Sequence, residues 1–394
     1  MEKITFKTYL HFMLVTVISI ASLATSCDIE DTERMAAIST DKPITFATAT
    51  AEAEEQTAGS RAATPLSDFY KDFRIYGYKN TGYDTTTGYT DYQNVFLNSG
   101  DKVAWVANTA GTTSSNCDDW EYVNVDNNGQ TIKYWDYAAT AYRFFGLAPS
   151  TYSAACTTNA KNATLTFAVD ATASDNTPYF SKLWFSDNTG YGNTVRLQFV
   201  RPLCKVRFVL IDANTGSILT TTTMADDTYK YTDVIAANSI SFAPTATDDG
   251  KMVTKGKLKV TYPLTGTETT ESYVISDDAT ATTISAMTLP YEETDNLCFA
   301  YDSWDYTTSP ATLGTPHAQN WYTLLPNTSQ GTYTFSIILR GLRRTAIVPA
   351  EYMQWRANHE YTYYFKVSDQ DVSFNTVLEV YTKWQTGASQ TESW

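Results

Sequence analysis

Short runs in which apolar and polar residues alternate fill the chain from Phe69 onward, separated by Gly, Asn, Asp and Pro. A period of two puts successive side chains on opposite faces of a strand, so each run predicts a half-buried strand and each break a turn. FRIYGY (73–78), ATLTFAV (163–169), SISFAP (239–244), GKLKVTYPL (256–264), GTYTFSIILRG (331–341), HEYTYYFKV (359–367) and VSFNTVLEVYTKW (372–384) are the strand candidates. In YRFFGLAP (142–149), Tyr142 and Phe144 share a face. In VRLQFVRPLCKVRFVLID (195–212), Val195, Leu197 and Phe199 face one way before Pro202, and Val206, Phe208 and Leu210 do so after it. Proline cannot donate to a sheet ladder, so the chain is expected to leave one sheet there and start another. An earlier run, PITFATAT (43–50), puts Ile44, Phe46, Thr48 and Thr50 on one face. It then dissolves into a small-residue, acidic linker that ends at Arg61.

Composition adds weight to the same reading. The 394 residues include 28 Tyr, 18 Phe and 9 Trp, and Thr recurs in nearly every segment; these residue types suit a pleated, half-buried surface. Long amphipathic helical stretches are hard to find. The expected fold class is therefore all-β, with turn signals at sandwich-like intervals. The formal charge of −15 and the lack of a lysine- or arginine-rich run argue against nucleic acid as a partner, which needs a clustered basic face.

The N-terminus has the layout of an export signal. Lys3 and Lys7 precede MLVTVISIASLA (13–24), an apolar stretch too short to span a bilayer comfortably. Ala24, Thr25 and Ser26 lead into Cys27, an arrangement that resembles a bacterial lipobox; an ordinary signal with a chance cysteine is the alternative. A lipobox implies diacylglycerol on the Cys27 thiol and acylation of the new amine, and several acyl chains anchor durably where one would not. Asp28, Glu30, Asp31 and Glu33 follow at once, as in lipoproteins exported to the outer surface. The expected segments are a signal peptide (1–26), an acidic tether (27–41), a first strand with its linker (42–61), an N-terminal β-sandwich (62–202) and a C-terminal one (203–394).

Catalytic and metal chemistry find little support. Outside the signal only His317 and His359 remain, and no GxSxG, GxGxxG, Walker loop or HExxH occurs. The pairs Asp118/Asp119 and Asp248/Asp249 sit beside turn residues. No cofactor, metal ligand or catalytic residue is expected. Cys117, Cys156, Cys204 and Cys298 form no CxxC pair; Cys117 and Cys156 are left as a candidate disulfide, and Cys204 reads as a buried thiol. Trp120, Trp135, Trp184, Trp304 and Trp321 lie in loop-like segments, where aromatics fill a core or stack on sugars.

In order along the chain stand the lipobox, the acidic tether, PITF (43–46), the small-residue linker with Ser60 and Arg61, FRIYGY, YW (134–135) with YRFFGLAP, LQFVRPLCKVRF (197–208) and WRANHEYTYYFKV (355–367). Together they resemble the fimbrillin, or Mfa-like, family of type V pilins from gut and oral Gram-negative anaerobes, over essentially the whole mature chain. The resemblance implies two tandem transthyretin-like β-sandwich domains. It implies a lipid-anchored precursor on the outer membrane, cut by an arginine-specific protease after Arg61. Loss of the plug strand, with Ile44, Phe46 and Thr48 as its pocket face, would then let a neighbouring subunit's strand take its place. The donor is expected within 372–384, where Val372, Phe374, Leu378 and Val380 are read as sharing a face. Partners would be other fimbrial subunits, the protease, and host or bacterial surface ligands. Arg34, also in a flexible stretch, is a second possible cut site. A surface-exposed glycan-binding outer-membrane lipoprotein, which needs no cleavage, is the alternative.

Overall fold

The computed structural model describes residues 42–50, 70–105, 120–123, 130–173, 177–214, 216, 235–236, 239–247, 249–276, 281–289, 321–368 and 370–381. Cys27, Arg34, Arg61, the tether, the linker, Cys117, Cys298, Trp304 and His317 lie outside them.

The first strands in chain order are β1 (Phe46–Thr50), β2 (Asp72–Asp84), β3 (Gly88–Asn94), β4 (Asp101–Trp105), β5 (Trp120–Glu121), β6 (Ala141–Ala148), β7 (Ala154–Thr158) and β8 (Asn162–Asp170). Next come β9 (Tyr179–Ser181), β10 (Trp184–Asp187), β11 (Val195–Val200), β12 (Cys204–Asp212), β13 (Ile240–Pro244), β14 (Met252–Pro263), β15 (Ser272–Ile275) and β16 (Thr282–Ile284). The last are β17 (Met287–Leu289), β18 (Tyr322–Leu324), β19 (Tyr333–Leu339), β20 (Leu342–Val348), β21 (His359–Val367) and β22 (Val372–Tyr381). Among the described residues the helical elements are two 3-10 turns, Asn188–Gly190 and Ala350–Tyr352. The chain is all-β.

Four sheets hold these strands. The first runs β1-β11-β9-β6-β2-β4-β5, with β3 added on β2 and β10 on β6; the second runs β15-β14-β8-β7, with β16 on β14. Tyr76, Tyr78, Phe145, Leu147 and Phe180 of the first sheet pack on Leu165, Phe167, Leu258, Val260 and Tyr262 of the second, and Phe145 stacks on Tyr262 at 3.7 Å between ring centres. The first sheet also buries its other face, where Phe73, Ile75, Phe144, Val195, Leu197 and Phe199 meet Ile44, Phe46, Trp120, Tyr122 and Trp135. Burial on both faces is why every residue of β6 is buried although its sequence alternates only in part.

The third sheet (β18-β12-β21-β22) and the fourth (β17-β13-β19-β20) make a second sandwich. Its core takes Val206, Phe208, Tyr363 and Phe365 from one side and Phe242, Tyr333, Phe335 and Ile337 from the other, with Phe335 stacked on Phe365 at 3.9 Å. β11 ends the chain's run in the first sheet and β12 opens the third, with Pro202 between them. β19 and β20 are joined by a two-residue turn, Arg340 and Gly341, both at positive φ (51° and 79°), the left-handed pair that a type I′ hairpin needs.

The boundary expected at 202/203 does not separate the sheets. β14, β15 and β16 lie beyond it in sequence yet complete the second sheet with β7 and β8. β14 and β8 pair over nine consecutive residues, from Lys255 opposite Asp170 to Pro263 opposite Asn162. Alternation in GKLKVTYPL predicts one buried face but carries nothing about which sheet that face will meet. Cys117, one half of the candidate disulfide, lies outside the described residues; Cys156 and Cys204 are free thiols. Burial pushes Cys156 up to about 11 and Cys204 further, so both are inert at neutral pH.

Candidate functional site

The first strand is held along both of its edges. β1 pairs in parallel with β11, Phe46 beside Val195, Thr48 beside Leu197 and Thr50 beside Phe199, and Val195 N–H donates to Thr45 O at 2.8 Å. Just before β1 the other edge is engaged: Ile44 N–H donates to Lys133 O (2.8 Å) and Trp135 N–H to Lys42 O (3.0 Å). Tyr122 adds a hydroxyl donated to Ile44 O at 3.1 Å, and Thr45 Oγ1 donates to Thr194 Oγ1 at 3.1 Å. Residues 42–50 thus cover the edge of β11 on one side and pair with the loop residues 133–135 on the other.

Ile44 and Phe46 are fully buried. The Phe46 ring sits among Phe73 (6.2 Å), Phe96 (5.9 Å), Tyr122 (5.7 Å) and Phe144 (6.2 Å), mostly edge to face, the arrangement aromatic quadrupoles favour. Gly77 makes room below this seat, because a Cβ there would lie 2.5 Å from the Phe144 ring. Thr48 continues the same face, half-buried.

The end of the strand matters as much as its seat. Thr50 lies beside Phe199, and Val200, Phe180, Leu147 and Arg74 follow as partners across β11, β9, β6 and β2. Thr50 and Tyr70 are therefore at the same end of the first sheet, four strand spacings or roughly 20 Å apart. The nineteen residues between them, 51–69, are enough chain to reach about 60 Å.

The candidate donor residues are placed differently from the sequence expectation. β22 is the edge strand of the third sheet, antiparallel to β21, and its register shifts between the pairs Tyr364–Thr376 and Phe365–Phe374. The extra residue, Asn375, is a bulge that reverses the alternation. Val372 (buried) and Phe374 face the core, and beyond the bulge Val377 takes that face in place of Leu378, which is 48% exposed. Val372 and Phe374 do not share a face with Leu378; Val380 is paired with Glu360. Leu378→Ser should therefore change stability by less than about 0.5 kcal/mol, whereas Phe374→Ala should cost about 2 kcal/mol. Urea denaturation of the two variants checks this, and a reversed ranking would put the bulge elsewhere.

Of the other singled-out residues, Trp120 and Trp135 are core, and Trp184 packs half-buried against Phe144 and Trp135. Trp321 covers the Arg207 guanidinium at 4.0 Å. His359 makes a structural hydrogen bond, Nδ1 to Ala357 O at 2.8 Å. Among the described residues no cluster of His, Cys, Asp or Glu is grouped to hold a metal. Three arginines do gather, at the β19–β20 turn, where Arg340 and Arg343 are exposed. Gly341 and Leu342 interrupt them in sequence, so a search for basic runs passes over them. One hairpin tip is far short of the extended face a phosphate backbone requires.

No family model matches the chain, and no curated protein matches it. Solved structures do. A candidate cell adhesion protein from Bacteroides uniformis matches 87% of this chain and 98% of its own at 12% identity, with a TM-score of 0.35. Another from Bacteroides ovatus matches 86% and 96% at 8% identity, TM-score 0.38. A fimbrial assembly protein from Parabacteroides distasonis matches 86% and 99% at 7% identity, TM-score 0.33.

Proposed function

We propose that the chain is the precursor of a fimbrial subunit, carried to the cell surface as an outer-membrane lipoprotein acylated at Cys27 and assembled by exchange of its first strand. The observation that carries this is the seat of residues 42–50. A strand that covers the edge of β11, pairs with residues 133–135 and fills a ring-lined pocket with Ile44 and Phe46 is both a completion of the fold and a removable part. While it is in place the edges of β11 and of residues 133–135 are satisfied. Once it leaves, main-chain groups and the rings of Phe73, Phe96, Tyr122 and Phe144 need a new partner, and a strand of the same apolar spacing from another subunit supplies it.

The chain length from Thr50 to Tyr70 supports the same reading. A crossing of roughly 20 Å needs only about six extended residues, and nineteen leave Arg61 ample slack to enter a protease. An arginine-specific cut there severs the strand covalently while its hydrogen bonds and side chains still hold it, so assembly waits for an incoming strand.

Limited proteolysis of the purified precursor tests this. Wild type cut after Arg61 should give a ladder of oligomers on unboiled denaturing gels, Arg61→Ala should remain monomeric, and Arg34→Ala should behave as wild type. Cut wild type that stays monomeric with residues 42–61 bound would overturn the reading.

A further inference from the structure

β10 and β11 are neighbours that do not pair. They are joined by the turn at Asn188–Gly190, and Lys182 N–H donates to Gln198 O at 2.8 Å where they converge again. Between these points β10 pairs with β6 alone, while β11 pairs with β1 and, only at Phe199 and Val200, with β9. The sheet has an eye here, a cleft of about 590 Å3 lined by Trp184, Phe185, Ser186, Asn193, Thr194 and Arg196. That volume is in the range of small-molecule sites. Because the eye is closed at both ends, an extended peptide cannot run through it as an added strand. A compact ligand entering from the face fits.

The lining has a definite chemistry. Phe185 begins a run of rings, with Tyr89 at 5.6 Å and Tyr83, more than half exposed, at 5.1 Å from Tyr89. The Arg143 guanidinium lies 4.9 Å from the Phe185 ring centre and holds it in place. Asn193 brings an amide; Ser186 lies on the opposite face of β10 from Phe185 and donates its hydroxyl to Asp187 O at 2.9 Å. Two cations border the cleft: Arg196, exposed, and Lys42, whose side chain crosses Gly192 so closely that a Cβ there would meet its Cδ at 2.8 Å. Neither makes an ion pair among the described residues. The acid at the turn, Asp187, is held ionised by Thr189 N–H (3.0 Å) and Thr189 Oγ1 (2.6 Å), so its charge offsets one of the two cations and leaves a net positive rim. In a chain of charge −15, two unpaired cations beside an aromatic platform mark a local preference for an anion with an apolar face.

We propose that this cleft binds an acidic sugar, a uronic or sialic acid unit of a glycan. Its carboxylate meets the planar fork of Arg196, its C–H face lies on the electron-rich face of Phe185, and its hydroxyls reach Asn193. The assignment stands on the cleft alone and holds whether or not the first strand is exchanged.

The test is a titration of the folded precursor, followed by NMR shifts, with glucuronic acid, N-acetylneuraminic acid, glucose and a short valine–threonine peptide as probes. At least one acidic sugar should bind and glucose should bind at least about tenfold more weakly, as loss of one charge-assisted hydrogen bond implies. Arg196→Ala and Asn193→Ala, both surface changes, should each weaken the acidic sugar by about that factor with the melting temperature unchanged. Arg196→Lys should keep part of the affinity. Equal binding of glucose, an unaffected Arg196→Ala protein, binding of the peptide alone, or no binding by any probe would overturn the proposal.

Discussion

Phe46→Ala should remove about 3–5 kcal/mol from the stability of the precursor. The side chain is fully buried and touches four rings carried by different parts of the first sheet and its loops. Phe73 and Phe144 stand on β2 and β6, which pair over seven residues, so the walls of the seat cannot close on the space a truncated side chain leaves. The cost is then the lost transfer energy plus a residual cavity. Guanidinium unfolding followed by tryptophan fluorescence reads it, since Trp120 and Trp135 share this core. Ala47→Ser, on the opposite face and half-exposed, should change stability by under about 0.5 kcal/mol. The same Phe46→Ala change has a second consequence in protein already cut after Arg61. With the covalent link gone, the same loss of about 3–5 kcal/mol should speed departure of residues 42–61 by about two to four orders of magnitude. Unchanged stability and an unchanged release rate would mean that Phe46 does not hold the strand.

Above pH 10 the fold should unfold cooperatively. Tyr142 is pushed up to about 12, chiefly by burial, and so is Tyr273. Tyr76, Tyr78, Tyr262, Tyr333, Tyr361 and Tyr363 are raised still further, again by burial first. In the unfolded chain these phenols ionise near 10. Between 10 and the folded values the unfolded state holds fewer protons than the native state, so stability falls as pH rises. The contribution of each group is fully present below pH 10. For Tyr142, a separation of about two pH units corresponds to roughly 3 kcal/mol lost by pH 12. The other buried phenols act in the same direction, against a total of about 5–15 kcal/mol that typically holds a domain. Tyrosinate absorbance and circular dichroism recorded on one pH ramp should therefore change together. Gradual ionisation near pH 10 with the strand signal intact would contradict the burial of these hydroxyls.

What sequence could and could not deliver follows from the range of the forces involved. The buried face of the first strand was legible because Ile44, Phe46 and Thr48 obey the period of two within a few residues. Its partners were not. β11 lies about 150 residues away and residues 133–135 about 90, and nothing in PITFATAT distinguishes one edge from another. The bulge at Asn375 escaped for a different reason. VSFNTVLEVY alternates acceptably in either phase, so only the fixed face of Tyr361, Tyr363 and Phe365 opposite it decides where the extra residue falls. The eye between β10 and β11 hides in an unremarkable stretch, and its trace is the pair Gly190 and Gly192, placed where Ser186 and Lys42 leave no room for a Cβ.

β14 has a mechanical meaning. Its first residue, Met252, belongs to the core of the second sandwich, and Val253, Leu258, Val260 and Tyr262 belong to the first. Tension that draws the sandwiches apart along this strand meets the nine residue pairs shared with β8 as a sliding load, in which all the rungs resist at once. A flexible hinge would let two sandwiches swing like beads on a string. A strand laced into one sandwich, with Met252 seated in the core of the other, resists that swing.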